Sequence, residues 1–190
     1  MRLLILAIAS LSAFAQNAPH IRDWRPDPSE SPLKPKTSCA ALHSLTGYEL
    51  SVMTVEANPD FCRVLINVQP EIRIEVSLPT AWNRRLYMFG NGGYAGEDLE
   101  SASRVAHRNA ALKLGFAVTQ TNTGHDAVRE PLATFTLDQQ KLLDYAFRSL
   151  HVTAETAKRV VEAMYGTRPM RSYYNGCSTG GRQAMVFAQR

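Results

Sequence analysis

The sequence predicts an α/β fold, in which strands and helices alternate along the chain. Apolar runs that are continuous or have period two indicate strands, stretches with helical spacing lie between them, and glycine or proline stands at the boundaries. With 190 residues, 45% of them hydrophobic and 20% charged, the chain has the composition of a folded domain and can bury a core.

The first predicted strands precede a helix. Residues 72–78 alternate apolar and polar side chains, which predicts a half-buried strand, whereas the continuously apolar residues 86–89 predict a strand inside the sheet. Residues 100–114 have helical spacing, with Gly115 as the expected C-cap, and residues 116–121 return as a strand.

The second half of the chain continues the alternation. Residues 137–150 and 153–165 are predicted to be two separate helices, which together form the connection to a strand at 172–175. A helix-compatible run at 181–188 follows this strand, so that the strand and the helix are joined by a very short turn.

That turn is the pentapeptide Gly176-Cys177-Ser178-Thr179-Gly180, a G-x-S-x-G motif. Between a strand and a helix, this motif is typical of the nucleophile elbow of α/β-hydrolases, where glycines permit a sharp bend that exposes the serine hydroxyl. The motif therefore predicts Ser178 as an acyl-transfer nucleophile. The alternative interpretation is an ordinary Gly-Ser turn.

A second chemical candidate is the glycine-rich loop Gly90–Gly96, which follows the strand at 86–89. Such a loop lets backbone N–H groups face a ligand, and in α/β-hydrolases one loop of this kind supplies an oxyanion donor. We expect the N–H groups of Gly93 and Thr179 to form the oxyanion hole. A flexible hairpin is the alternative, and the glycine spacing disfavours a phosphate-binding loop.

The expected catalytic triad is incomplete in this sequence. The usual chain order is serine, acid and histidine, but residues 179–190 contain neither an acid nor a histidine. The predicted fold is therefore an α/β-hydrolase that is incomplete at its C-terminus. The chain is either the N-terminal part of a longer enzyme or a truncated remnant that does not catalyse a reaction.

The N-terminus has the features of an export signal. Arg2 supplies the positive charge, residues 3–11 form a short apolar stretch, and Ala13-Phe14-Ala15 is a cleavage motif. We expect residues 1–15 to be a signal peptide, residues 16–38 to be an extended, proline-rich lead-in, and residues 39–190 to be the N-terminal part of the catalytic domain. The protein is accordingly expected to be secreted or periplasmic.

Export makes the three cysteines informative. In an oxidising compartment Cys39 and Cys62 can form a disulfide, which would stabilise the fold by roughly 3 to 4 kcal/mol. Cys177 is then unpaired, and the odd count indicates a partner beyond Arg190. The alternative is a buried, inert cysteine in the elbow.

Charge and hydropathy argue against two classes of partner. The formal net charge is +4, but lysine and arginine are scattered rather than clustered, so a nucleic-acid partner has little support. No apolar run reaches the roughly 18 residues that a membrane span requires, so no membrane partner is expected.

Several motifs, in the same order, resemble those of the tannase and feruloyl esterase family of secreted serine esterases. The resemblance runs from Cys39 to the end of the chain. The motifs are Phe61-Cys62-Arg63-Val64, Leu78-Pro79-Thr80-Ala81-Trp82-Asn83-Arg84-Arg85, the loop Gly90–Gly96, Thr121-Asn122-Thr123-Gly124-His125, and Ser172-Tyr173-Tyr174-Asn175-Gly176-Cys177-Ser178-Thr179-Gly180-Gly181-Arg182-Gln183. Ordered motifs of this number are far more specific than a single pentapeptide.

The resemblance implies a serine esterase that hydrolyses small aromatic esters, such as feruloyl or galloyl esters. A peptidase or lipase of the same fold is the alternative, disfavoured because its elbow would not need Cys177. By the same resemblance, Cys177 pairs with a cysteine that follows the catalytic histidine. The acid, the histidine, the substrate-binding cap and a calcium loop would all lie beyond Arg190, so no metal site or cofactor is assigned to this chain. Asn122 replaces the family's usual Asp, which predicts a weaker ionic hydrogen bond in its loop.

The histidines precede Ser178 and are poor candidates for the triad base. We expect His20 and His43 on the surface, and structural roles for His107 and His151. His125 lies in a turn after a strand, and such a loop could bring it to the rim of the active site.

Overall fold

The structure is a computed structural model that describes residues 31–189. The predicted signal peptide, residues 1–15, lies outside the described residues, as does most of the predicted lead-in. The strands are β1 (Leu50–Ala57), β2 (Phe61–Val68), β3 (Ile72–Pro79), β4 (Arg85–Phe89), β5 (Ala117–Thr121) and β6 (Arg171–Asn175). The α-helices are α1 (Ala102–Lys113), α2 (Gln139–Leu143), α3 (Ser149–Tyr165) and α4 (Thr179–Gln189).

The six strands form one mixed sheet in the order β1-β2-β3-β5-β4-β6. The strands β1, β2 and β3 are antiparallel neighbours, and β3 is also antiparallel to β5. The strand β4 is parallel to both β5 and β6, so it lies inside the sheet, as its continuous apolar sequence predicts. The strands predicted at 72–78, 86–89, 116–121 and 172–175 are confirmed.

Helices cover both faces of this sheet, because alternate residues of each strand point to opposite sides. Along β3, Ile74 and Val76 belong to the core cluster that includes Val160 and Val161 of α3. Glu75, between them, pairs with Arg108 of α1 on the other face. The arrangement is therefore three layers, α/β/α, as the alternation of strands and helices predicts.

The core beneath α3 is anchored by two aromatic rings. Trp82 and Tyr165 are fully buried and stacked with their ring centroids 4.4 Å apart. Each also satisfies its polar atom, since the Trp82 indole donates to the carbonyl of Arg85 and the Tyr165 hydroxyl donates to the carbonyl of Pro79. These bonds tie the end of α3 to the loop between β3 and β4.

A disulfide joins Cys39 and Cys62, as predicted. It fastens the 3₁₀ turn Cys39–Ser44 to β2, and the short segment before it is also ordered, because Leu33 exchanges backbone hydrogen bonds with Trp82 at 2.8 and 2.9 Å. No helix in residues 31–189 is long and apolar enough to cross a bilayer.

The predicted boundary between two helices at residues 151–152 is wrong. A continuous helical stretch runs from Gln139 to Tyr165 and changes to π-helical hydrogen bonding at Asp144–Arg148, between α2 and α3. Thr153 does not start a helix but lies inside α3, where it is buried. The sequence-based interpretation failed because a π segment preserves the helical path while shifting which side chains face the core.

Candidate active site

The two segments that the sequence predicts to form the site, the glycine-rich loop and the G-x-S-x-G turn, lie at the same edge of the sheet. The strands β4 and β6 are parallel neighbours, with Phe89 paired to Asn175 at their C-terminal ends. The pairing continues one residue further, because the Gly90 N–H donates to the carbonyl of Asn175 at 2.8 Å. The glycine-rich loop after β4 and the G-x-S-x-G turn after β6 therefore begin side by side.

Ser178 has the backbone conformation of a nucleophile elbow. Its φ angle is 55°, in the left-handed region that non-glycine residues rarely adopt, and its side chain is exposed. The helix α4 begins at the next residue, Thr179, so the serine lies at the positive end of an 11-residue helix. Within residues 31–189, no side chain is hydrogen-bonded to the Ser178 hydroxyl.

The glycines of the turn are required by close backbone contacts. A Cβ atom added to Gly176 would lie 2.7 Å from Cα of Gly180, and a Cβ atom on Gly90 would lie equally close to the same atom. Three glycines thus meet where the loop, the strand and the helix converge. Any side chain at these positions would force the elbow and the loop apart.

The elbow and the loop are in direct contact. The hydroxyl of Thr179 donates a short hydrogen bond to the carbonyl oxygen of Gly93. Gly93 itself has φ of 50°, and no other atom lies within 4 Å of the position that a Cβ would occupy, so its backbone is open on that side. The structure brings together the predicted nucleophile, Ser178, and both predicted oxyanion donors.

The sequence of this chain is similar to that of known proteins. A family model described as "Tannase and feruloyl esterase" matches residues 54–190. Feruloyl esterase B from Aspergillus niger is 36% identical over 141 residues, which cover 72% of this chain and 26% of that protein. The chain belongs to the tannase and feruloyl esterase family.

Other members of the tannase and feruloyl esterase family extend the comparison. Mono(2-hydroxyethyl) terephthalate hydrolase from Piscinibacter sakaiensis is 34% identical over 128 residues, which cover 63% of this chain and 21% of that one. The crystal structure of feruloyl esterase B from Aspergillus oryzae superposes with a TM-score of 0.61 at 26% identity, over 77% of this chain and 34% of that chain. The fold is a partial α/β-hydrolase fold, and the chain spans about a quarter of the length of feruloyl esterase B from Aspergillus niger.

A cleft of about 350 Å³ opens beside the elbow of this family member. Gly176 and Cys177 form one wall, and the aromatic residues Tyr87 and Phe89 contribute to another, together with His107. Cys177 is exposed and carries a free thiol. The expectation of a buried, inert cysteine is therefore wrong, whereas a disulfide partner beyond Arg190 stays a prediction.

A buried polar network behind the loop was not predicted from the sequence. Gln183 of α4 accepts a hydrogen bond from the Asn91 N–H at 3.0 Å and donates to the Asn91 side-chain oxygen at 3.1 Å. Asn91 in turn donates to Glu97 at 2.7 Å, and Glu97 forms an ion pair with Arg104 at 3.0 Å. The contacts between Gln183 and Asn91 join residues 92 positions apart, so no local pattern of the sequence reveals them.

The side chain of Asn122 uses both ends of its amide in hydrogen bonds. Its oxygen accepts from the N–H groups of Arg73 and Gly124 at 2.8 and 3.0 Å. Its nitrogen donates to the carbonyls of Glu71 and His125 at 3.2 and 2.9 Å. An ionised carboxylate could not donate to either carbonyl, so these two bonds are specific to the amide. The weaker ionic hydrogen bond expected from the sequence stays a prediction.

His125 does not reach the rim of the site. It is fully buried and stacked on Phe135 with ring centroids 3.9 Å apart. Burial lowers the pKa of His125, and this desolvation outweighs the opposing influence of Glu130 and of the nearby Tyr94 peptide group. The possible substrate contact inferred from its loop position is wrong, since a ring packed between aromatic side chains is structural.

The other described histidines are exposed. They are His43, His151 and His107, and the last of these lines the cleft beside the elbow, with its Nδ1 2.9 Å from the carbonyl of Ser103. Among residues 31–189, no cluster of three or more His, Cys, Asp or Glu side chains is arranged to hold a metal ion.

Proposed function

We propose that this protein is a carboxylic ester hydrolase in which Ser178 is the nucleophile. The observation that carries the proposal is the elbow itself: Ser178 has a strained left-handed backbone at the start of α4, beside the glycine-rich loop. A left-handed serine between a strand and a helix is the geometry that a nucleophile elbow requires. Family membership supports the same reaction class.

In the proposed reaction, the Ser178 oxygen attacks the ester carbonyl carbon and the serine proton passes to a base. The carbonyl oxygen becomes an oxyanion, which the N–H groups of Gly93 and Thr179 would stabilise. Collapse of this intermediate expels the alcohol and leaves an acyl group on Ser178. Water then releases the acid and restores the hydroxyl.

The base is expected outside residues 31–189, since no histidine in that range hydrogen-bonds to Ser178. From the family resemblance we expect the histidine and its acid beyond Arg190, near the cysteine that would bond to Cys177. Such a disulfide would tie the base to the residue next to the nucleophile. The exposed thiol of Cys177 is accessible for that bond.

We propose esters of aromatic acids as substrates. The support is the activity for which two relatives are named, feruloyl esterase B and mono(2-hydroxyethyl) terephthalate hydrolase, together with Tyr87 and Phe89 in the cleft beside the elbow. The disulfide between Cys39 and Cys62 supports export to an oxidising compartment.

The test is hydrolysis of methyl ferulate by the full-length protein and its variants. Ser178→Ala should lower kcat by roughly 10³-fold or more with the fold intact, because it deletes only the nucleophilic oxygen. Ser172→Ala is the matched control, since Ser172 is an exposed serine of β6, six residues before Ser178. Equal activity of the two variants would refute Ser178 as the nucleophile.

A further inference from the structure

Gln183 connects the two halves of the proposed site. Its side chain is fully buried on α4, one helical turn after Ser178, and it reaches the first residues of the glycine-rich loop. Through its oxygen and its nitrogen it bonds to both the backbone and the side chain of Asn91. A paired contact of this kind fixes both distance and orientation, whereas a single hydrogen bond permits rotation.

The surrounding groups fix which way each amide points. Asn91 donates to the carbonyl of Thr121 at 2.9 Å, so its nitrogen must face that carbonyl and its oxygen must face Gln183. The Tyr174 hydroxyl donates to the Gln183 oxygen at 2.8 Å. Burial raises the pKa of Tyr174, which keeps this hydroxyl protonated as a donor.

The network then extends to the part of the loop that carries the oxyanion donor. Asn91 holds Glu97, whose other carboxylate oxygen accepts from the Gly92 N–H at 2.7 Å. Gly92 immediately precedes Gly93, so the chain of contacts ends one residue from the proposed donor. Arg104 pairs with Glu97 at 3.0 Å and balances the negative charge of this largely buried group.

From these contacts we infer that Gln183 is a positioning residue: through Asn91 it holds the glycine-rich loop at a fixed distance from Ser178. This inference rests on the proposed function of Ser178 and Gly93. An oxyanion hole acts only if its donors are in place before the charge develops, and small displacements of a catalytic group are costly. The hydrogen bonds between Gln183 and Asn91, which we call the clasp, hold the loop in that position.

Gln183→Met tests the inference, because methionine fills a similar volume but makes none of the three hydrogen bonds. In the full-length protein we expect kcat for methyl ferulate to fall by roughly 10- to 100-fold while KM changes little, since the loss affects the transition state. The matched control is Gln140→Met, which deletes a side-chain hydrogen bond to Asp144 at 2.9 Å, far along the chain on α2. Gln140→Met should retain the wild-type kcat.

Gln183→Glu separates positioning from mere packing. Ionised glutamate cannot donate to the Asn91 oxygen, but a protonated carboxylic acid can. The kcat of this variant, divided by the wild-type value at the same pH, should therefore rise as the pH is lowered from 9 to 5.5. A flat ratio, or wild-type kcat in both Gln183 variants, would overturn the inference.

Amide hydrogen exchange gives a readout that does not require activity. If Gln183 holds the loop, Gln183→Met should accelerate exchange at residues 92–96 by about tenfold or more, because the variant loses all three hydrogen bonds of this buried side chain. Unchanged exchange there would refute the clasp even if Ser178 is the nucleophile. An inactive wild-type protein with normal exchange effects would instead refute the proposed function.

Discussion

Thr179, the residue after the proposed nucleophile, donates its hydroxyl to the carbonyl of Gly93, 86 positions earlier in the chain. This contact turns the Gly93 carbonyl toward α4 and places the loop directly against the start of that helix. Parallel pairing of β4 with β6 makes the contact possible, because both segments leave the sheet at the same edge. The strand order therefore brings the two local motifs of the candidate site together.

The close contact between Gly176 and Gly180 predicts that alanine substitutions at Gly176 and at Gly181 have very different effects on stability. Gly176→Ala should destabilise the protein by about 1–3 kcal/mol and lower kcat, because its Cβ would lie 2.5 Å from the carbonyl carbon of Gly180. Gly181→Ala meets no atom closer than 3.8 Å, so it should be neutral or stabilise α4 by up to about 1 kcal/mol. Chemical denaturation and ester hydrolysis measure both effects; similar behaviour of the two variants would contradict the tight elbow.

The ion cluster beneath α1 predicts that the stability of the fold depends strongly on the buried carboxylate of Glu75. Glu75 is 1% exposed and pairs with Arg63 and Arg108, each at 3.1 Å. Glu75→Ala should cost up to roughly 3 kcal/mol of unfolding free energy, because it leaves two largely buried guanidinium groups paired only with the half-exposed carboxylates of Glu56 and Glu100. Glu56, half exposed on the same Arg63, is the control, and Glu56→Ala should cost less than about 1 kcal/mol. A similar cost for both would show that Glu75 is not the centre of the cluster.

The buried ring of His125 predicts a pH dependence of stability. Burial lowers the pKa of His125 in the folded state. Below the ordinary histidine pKa of about 6.5, the unfolded chain therefore binds more protons than the folded protein does. The associated stability is fully present above that pH and is lost as the pH falls, with a slope of at most about 1.4 kcal/mol per pH unit. His125→Leu should therefore show a shallower loss of unfolding free energy between pH 8 and pH 5 than the wild type. Identical slopes would mean that His125 is solvated in the folded protein.

Much of the fold could be predicted from the sequence, because local patterns of residues indicate its strands and its helix ends. The alternation in β3 and the apolar run of β4 predicted their places in the sheet, and Gly115 and Gly166 mark helix ends in left-handed conformations. The π segment Asp144–Arg148 could not be predicted, since its carbonyls are bound by a distant partner. Arg182 of α4 donates to the carbonyls of Tyr145 and Ala146 at 3.1 and 3.0 Å.

Part of the candidate site could likewise be predicted from the sequence, and part could not. Ser178, Gly93 and Thr179 were predicted from motifs whose spacing reflects a turn, which is a local property. The clasp of Gln183 on Asn91 was missed because glutamine and asparagine have no pattern that indicates a distant partner. His125 was misplaced for a related reason: its loop position indicated exposure, but Phe135 and Tyr145 arrive from a later segment to bury it.

The most direct measurement is peptide mapping by mass spectrometry after treatment of the full-length protein with a fluorophosphonate. If Ser178 is an activated nucleophile, the adduct should lie on the peptide that contains Ser178, and labelling should be lost together with methyl ferulate hydrolysis in Ser178→Ala. An active protein whose adduct lies on another residue would contradict the account, as would a protein that remains unlabelled and inactive.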